Sequence, residues 1–225
     1  SLQRTLAEHG QWLPIDPPFA GATIGGIIAT ASTGARRHGC GTAKDLTLGA
    51  SLVNAPATLT KSGGRVVKNV TGFDLHRLQW GAMGTLALLV EVSLKVSARP
   101  PTRAVFAAAA PDLASAHRHL LDVAGSPLRP VALAAYDGDD ATAVRAALPA
   151  SLPTGAVVLV GVEGPRSFVE RHGRDLPALA ERAGLAAPVR LEDDGATAVW
   201  NATRGLGERR SGAIVVRIGT RPHDL

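Results

Sequence analysis

The stretch "RPPTR", Arg99–Arg103, constrains this chain more than any other feature. Its two prolines fix φ, withdraw two backbone donors and push their predecessors toward extended geometry. Neither a helix nor an inner strand runs through it. The texture also changes there: glycine clusters break up short apolar runs before it, and simple alternating elements follow. We therefore expect a boundary near residue 100, with one unit over residues 1–99 and a second over 100–225. A chain of 225 residues can bury a real core, as one large domain or two small ones.

Behind the prolines, "AVFAAAA" reads as a strand and "PDLASAHRHLLDVAG" as a helix, with Pro111 near its start and Gly125 at its stop. "RPVALAAYD" is a strand, "DATAVRAAL" a short helix or turn, and "AVVLVGVEG" a strand. "PRSFVERHGRDLPALAERAG" is a helix interrupted near Gly173 and Pro177, and "LEDDG" (Leu191–Gly195) is a solvated acidic turn. The order strand–helix–strand–strand–helix is that of a ferredoxin-like half-domain. "SGAIVVRIG" closes the chain as a further strand with no partner after it, so the second unit reads as unfinished.

Ahead of the prolines, "SLQRTLAEHG" reads as a helix end stopped by Gly10, and the prolines of "QWLPIDPPF" keep that stretch extended. "GGIIATAS" can open a helix. "DLTLGASLVN" alternates as a strand, and "ALLVEVSLKVSA" is the best strand in the chain, with Val90, Val92, Leu94 and Val96 on its inward face. Gly63-Gly64 reads as a tight turn before a short strand, Arg65–Val67. The fold class is α+β.

Charge and special residues exclude several functions. The formal net charge is +5 and the pI near 10.1, which suits an anionic partner. The arginines are scattered or paired, as in Arg36-Arg37 and Arg209-Arg210, and aromatic residues make up only 4% of the chain. That argues against nucleic acid as a partner. One cysteine, Cys40, rules out an internal disulfide and suits a reducing compartment. The uncharged run Phe19–Ala35 is too short and too rich in hydroxyls to span a membrane. His117 and His119 stand two apart on a helix read as solvated, and His38 with Cys40 lacks a second ligand pair, so no metal site is expected. No catalytic triad or carboxylate pair is present, and no catalytic residue is assigned.

Two glycine segments can carry chemistry. In "GATIGGIIATASTG", Gly25-Gly26 lets a ligand approach the backbone, and the small residues behind leave room for a flat or phosphorylated group. A tight turn packing small residues explains it equally well. In "GGRVVKNVTGFDLHRLQWGAMGTL", glycines admit the chain to a strong strand, as happens where something lies across the strand's start. A bulge or a helix "LHRLQWGA" capped by Asp74 fits as well. The residues leave both readings open.

Together, in this order and spacing, the two segments resemble the second lobe of the PCMH-type FAD-binding domain, shared by vanillyl-alcohol oxidases, D-lactate dehydrogenases and glycolate oxidase. The likeness covers residues 1–98 densely, and "GGRVVKNVTGFDLHRL" is most similar to the small FAD-binding subunit of the glycolate oxidase branch. It implies FAD as cofactor. Thr23, Ile24, Gly25 and Gly26 match a turn along the pyrophosphate, and Ala29, Ser32, Thr33 and Gly34 match small residues beside the flavin. Gly81, Gly84 and Thr85 match the turn into the flavin-adjacent strand, and Leu88 and Leu89 match the aliphatic position on the adenine side. Asp45 matches a structural acidic residue, and Lys68, Asn69, Gly72 and Asp74 match a motif that positions that turn.

Phe73 stands where the family has tyrosine, and Ala82-Met83 and Ala87 depart from its commoner residues. Cys40 follows the paired glycines instead of preceding them, so no thioether to flavin is expected. Residues 100–225 match the first half of the family's cap domain. The family's first lobe would precede Ser1, so the resemblance presents the chain as an internal fragment expected to bind FAD weakly or not at all on its own. The implied activity is oxidation of a small 2-hydroxy acid. The implied partners are a sister flavoprotein subunit and an iron–sulfur subunit, and the implied location is cytoplasmic or peripheral at the inner membrane face through the complex. A non-catalytic assembly subunit that keeps the fold is the alternative.

Overall fold

The computed structural model describes residues 1–68, 72–206, 214–216 and 218–219. Asn69 and Ser211, Gly212, Ala213 and Arg217 of "SGAIVVRIG" lie outside the described residues, and the described Ile214, Val215, Val216, Ile218 and Gly219 are not in a strand. The chain divides into two compact units, Ser1–Arg99 and Pro100–Leu225.

The first unit runs, in chain order, α1 (Leu2–Ala7), β1 (Gln11–Trp12), α2 (Ile24–Thr30), α3 (Arg37–Cys40), α4 (Ala43–Leu46), β2 (Thr47–Asn54), β3 (Thr58–Gly63), a 3-10 helix (Leu75–Gln79), β4 (Leu88–Leu94) and β5 (Ser97–Ala98). β1 pairs with β5, and the main sheet has the antiparallel order β3-β2-β4. Its small core joins Ile27 and Ile28 of α2 to Ala43 of α4, with Trp80, Leu89 and Val92 packed against them.

β4 departs from strict alternation. Ser51 faces Glu91 and Leu52 faces Leu89, so Val90 has no opposite residue and forms a β-bulge. The bulge turns Leu89 and Val92 to the same side, toward α2, and Val90 outward. The inward face predicted through Val90, Val92, Leu94 and Val96 therefore breaks at the bulge, and the strand stops at Leu94.

The strand predicted after Gly63-Gly64 instead precedes it, as β3. A Cβ on Gly63 would lie 2.2 Å from the Leu48 carbonyl oxygen, and the Gly64 N–H donates to that oxygen at 3.0 Å. Gly63, with φ +71, is a close pass beside β2 more than a free turn.

The second unit runs β6 (Thr102–Ala110), α5 (Leu113–Gly125), β7 (Ala132–Tyr136), α6 (Gly138–Arg145), β8 (Ala156–Gly164), α7 (Arg166–Arg182), β9 (Val189–Glu192) and α8 (Asp193–Ala202). Its sheet has the antiparallel order β7-β8-β6-β9. This is the ferredoxin-like split βαβ arrangement with all four strands present. The even-numbered residues Ala104, Phe106 and Ala108 of β6 and Val158 and Val160 of β8 pack with Ala116 and Val123 of α5 and Val169, Leu176 and Ala180 of α7. On the other face, the α8 side chain Trp200 lies over Gly161, where a Cβ would approach it to 2.9 Å. Both sheet faces are covered, so the central strands are continuously apolar.

Three expectations change here. Leu191–Gly195 is the end of β9 and the start of α8, because Ala104 and Val105 pair with Glu192 and Leu191. α7 runs unbroken through Gly173 and Pro177. Its buried stripe Val169, His172, Leu176 and Ala180 holds it on the sheet, and packing outweighs the lost proline hydrogen bond. His119 is fully buried on α5, whose solvated face was expected to carry it. Asp112 caps that helix, accepting the Ser115 N–H at 2.7 Å.

Candidate functional site

The site is built on both ends of α2. Thr23, in extended geometry, opens the helix, and its Oγ1 accepts the Gly26 N–H at 3.1 Å. As the first two helical residues, Ile24 and Gly25 have N–H groups without an intrahelical acceptor. At the other end Ala31 adopts the left-handed conformation, φ 53, and the Ser32 N–H donates back to the Ile27 carbonyl at 3.1 Å. Two more donors arrive from far along the chain. The Gly81 N–H reaches the Ile28 carbonyl at 3.0 Å, and the Met83 N–H reaches the Ala29 carbonyl at 2.8 Å. The turn of the second glycine segment is thus fastened to the carboxyl end of the first. Gly81 and Gly84, with φ +77 and +75, supply the left-handed geometry this turn needs.

This junction forms a groove of about 250 Å³. α2 contributes Gly25, Ile28 and Ala29, the 3-10 helix contributes Gln79, and the turn and the start of β4 contribute Gly84, Ala87, Leu88 and Leu89. Of the residues expected at a site, Gly25, Ala29, Gly84, Leu88 and Leu89 line it together. Thr23, Ile24 and Gly26 form the entry of α2, and Gly81 fastens the turn. Ser32, Thr33, Gly34 and Thr85 are not among its described lining. Ser32 Oγ lies 2.6 Å from Thr30 Oγ1, and Thr85 Oγ1 donates within its own turn to the Ala82 carbonyl at 2.7 Å.

The glycines divide by what surrounds them. At Gly34 a Cβ would sit 2.1 Å from the Asp16 carbonyl oxygen, so the chain's own packing demands glycine there. At Gly25 a Cβ would meet no atom within 4 Å. Glycine inside a helix is less stable than alanine by about 0.5–1 kcal/mol. The open space at Gly25 admits a group lying against the backbone in the groove.

The 3-10 helix inverts the usual pattern. Leu75 and Leu78 are exposed, whereas His76 and Gln79 are buried. Residues three apart eclipse each other in this helix, so each pair shares a face. His76 anchors it: its Nδ1 lies 3.1 Å from Ser62 Oγ, which also accepts the His76 N–H at 3.1 Å. Burial lowers the His76 pKa from the ordinary histidine value. Of the readings left open, the cap by Asp74 does not form: its side chain makes no cap hydrogen bond, and its Oδ2 pairs with Arg77 Nε at 3.0 Å. Asp45 has the structural role expected of it, accepting the Thr42 N–H and hydroxyl at 2.8 and 2.7 Å, and these bonds lower its pKa.

Sequence reasoning missed Ile28, Gln79 and Ala87 as lining residues. For Gln79 the available signal was its place three residues after His76, opposite the Leu75–Leu78 stripe. A second groove of about 290 Å³ lies along β2, β3 and β4 and is polar, with Glu91 Oε2 accepting from Ser51 Oγ at 3.0 Å and Glu91 Oε1 3.7 Å from Arg65. Among the described residues, no three His, Cys, Asp or Glu side chains converge as a metal site, and no helix is long and apolar enough to cross a membrane.

Residues 1–63 match the family described as FAD binding domain. Over these residues the chain is similar to a PCMH-type FAD-binding domain. It is 40% identical over 102 residues to the glycolate oxidase subunit GlcE of Escherichia coli, a match spanning 44% of this chain and 29% of that protein. It is 29% identical over 182 residues to the glycolate oxidase subunit GlcD of Bacillus subtilis, 80% of this chain and 39% of that protein. Against the mitochondrial D-lactate dehydrogenase [cytochrome] of Arabidopsis thaliana it is 34% identical over 99 residues, 44% of this chain and 17% of that protein. The chain thus spans well under half the length of these relatives. In fold it is similar to alkyldihydroxyacetonephosphate synthase, with a TM-score of 0.71 at 22% identity over 90% of this chain and 42% of that one. The groove fits a flat heteroaromatic ring such as those FAD carries: apart from Gln79 its walls are glycine, alanine and aliphatic side chains, and the space beside Gly25 is open.

Proposed function

We propose that this chain is the FAD-binding part of a flavin-dependent 2-hydroxy-acid oxidoreductase of the glycolate oxidase kind, acting on glycolate or D-lactate. The observation that carries the reading is the groove in which Gly25 and Ala29 meet Gly84, Leu88 and Leu89 through the Gly81 and Met83 hydrogen bonds. Ile24 and Gly25 would hold the pyrophosphate through backbone N–H groups, and Thr23 and Gly26 would form the capped turn that presents them. Ala29, Gly84, Leu88 and Leu89 would lie against a ring system, and Gly81 would keep the turn in place. Ser32, Thr33, Gly34 and Thr85 would support the surrounding loops. The flavin, when bound, accepts a hydride from the substrate's α-carbon. This chain's part is to bind it, orient it and keep water from its apolar face. A sister flavoprotein subunit and an iron–sulfur subunit would complete the complex, in the cytoplasm or at the inner membrane face.

One observation favours a second reading, a non-catalytic assembly subunit: no titratable side chain is among the described residues lining the groove. The full-length protein, purified alone and with its partner subunits, tests both. Flavin absorbance with turnover of glycolate or D-lactate by an artificial electron acceptor supports the first reading. Bound flavin without turnover in any combination supports the second, and absence of flavin from every preparation overturns the first.

A further inference from the structure

Gln79 is 7% exposed and lines the groove. Among the described lining residues it is the only polar side chain, and its amide makes no hydrogen bond to another described residue. Its neighbour on the same helical face, His76, is satisfied by Ser62. The side chain is thus largely enclosed while its unpaired amide stays open to the groove, and the few polar groups of an otherwise apolar cleft are the ones that orient a ligand. The backbone on either side is held firmly. His76 ties the helix to β3, Trp80 packs against the α2 core, and the Gly81 N–H bonds the Ile28 carbonyl. The backbone that carries the amide is therefore in place before any ligand arrives.

We propose that Gln79 is the specificity residue of this groove, its Oε1 and Nε2 pairing with the edge of a heteroaromatic ring that presents a donor and an acceptor side by side. The proposal deepens the FAD reading and rests on it. The walls suit such a ring: Gly25, Ala29, Gly84 and Ala87 leave its plane unobstructed, and Leu88 and Leu89 give it an apolar contact. FAD carries two edges of this kind, the imide edge of the flavin and the amino-pyrimidine edge of adenine. An amide reads either with one donated and one accepted hydrogen bond.

The test uses the full-length protein with Gln79→Met, which keeps size and loses both bonds, and Gln79→Glu, which keeps the acceptor and loses the donor. Affinities for FAD, FMN and ADP are measured with the melting temperature of each ligand-free protein. The expected result is FAD affinity weakened about tenfold or more in Gln79→Met, with an unchanged or raised ligand-free melting temperature. A parallel loss for FMN assigns the flavin edge, and a parallel loss for ADP assigns the adenine edge. Wild-type binding that Gln79→Met leaves unchanged overturns the role of Gln79 alone, as does a melting temperature that falls together with affinity. A wild-type protein that binds no FAD overturns the FAD reading itself.

Discussion

Val157, Val158, Leu159 and Val160 of β8 are each at most 2% exposed, whereas β4 leaves Leu88 at 66% and Val90 at 52%. Both are antiparallel strands rich in aliphatic residues. β8 is an inner strand with helices on both faces; β4 is the edge of a three-stranded sheet, and Phe73, Leu78, Met83 and Leu86 before it are also exposed. The second unit uses its apolar residues on its own core. The first unit holds many of them outward, around the turn that forms the groove. Apolar residues concentrated at a surface mark a place where something binds, and here Met83, Leu86 and Leu88 belong to the turn and strand start that help form the groove.

The comparison breaks most easily at Leu176, fully buried on α7. Leu176→Ala should destabilise the protein by about 2–5 kcal/mol, whereas Leu88→Ala should cost about 0.5 kcal/mol or less. Denaturant unfolding reads both, and similar losses would mean that β4 has a core of its own. Gly34→Ala should cost about 1–3 kcal/mol, because its Cβ meets the Asp16 backbone.

Gly25→Ala should act in the opposite direction. It should stabilise the ligand-free protein by about 0.5–1 kcal/mol through helix propensity and weaken FAD binding, read by calorimetry beside a thermal melt. Stabilisation without loss of affinity would remove Gly25 from the site.

The smallest effect is one of pH. Burial lowers the pKa of His119, with the Leu179 carbonyl and Asp122 opposing it, and of His172, with the Phe168 carbonyl and Asp175 opposing and Arg171 assisting. Both folded values lie below the unfolded value of about 6.5, so the unfolded chain takes up protons first. The stability these residues contribute is complete above that pH and is lost as pH falls through the folded values. Melting temperatures across mild acid should fall less steeply in His119→Leu/His172→Leu than in the wild type.

Some elements are legible residue by residue. "AVVLVGVEG" forms β8 over the residues read as a strand, and α5 ends at Gly125 as read, with Asp112, one residue after the Pro111 read near its start, as its cap. β9 is not legible, because Val189–Glu192 is short and half charged and becomes a strand only by pairing with β6. The bulge at Val90 is equally hidden, since local alternation continues straight through it. Within the site, the glycine turns could be read and matched to a family, but nothing local distinguishes Gly25, with open space beside it, from Gly34, pressed against Asp16.

By itself the sequence determined the strand and helix blocks of the second unit, the special backbone geometry at Gly81 and Gly84, and the likeness to an FAD-binding family. These rest on local propensity, residue spacing and φ, which each segment carries with it. Only the tertiary structure decided that the Gly81–Gly84 turn caps α2, that Leu89 turns inward while Val90 turns out, and that Gln79 is buried facing a groove. Those depend on hydrogen bonds and packing between residues some fifty positions apart, as from Ile28 to Gly81, and no local pattern encodes which distant partner a segment will meet.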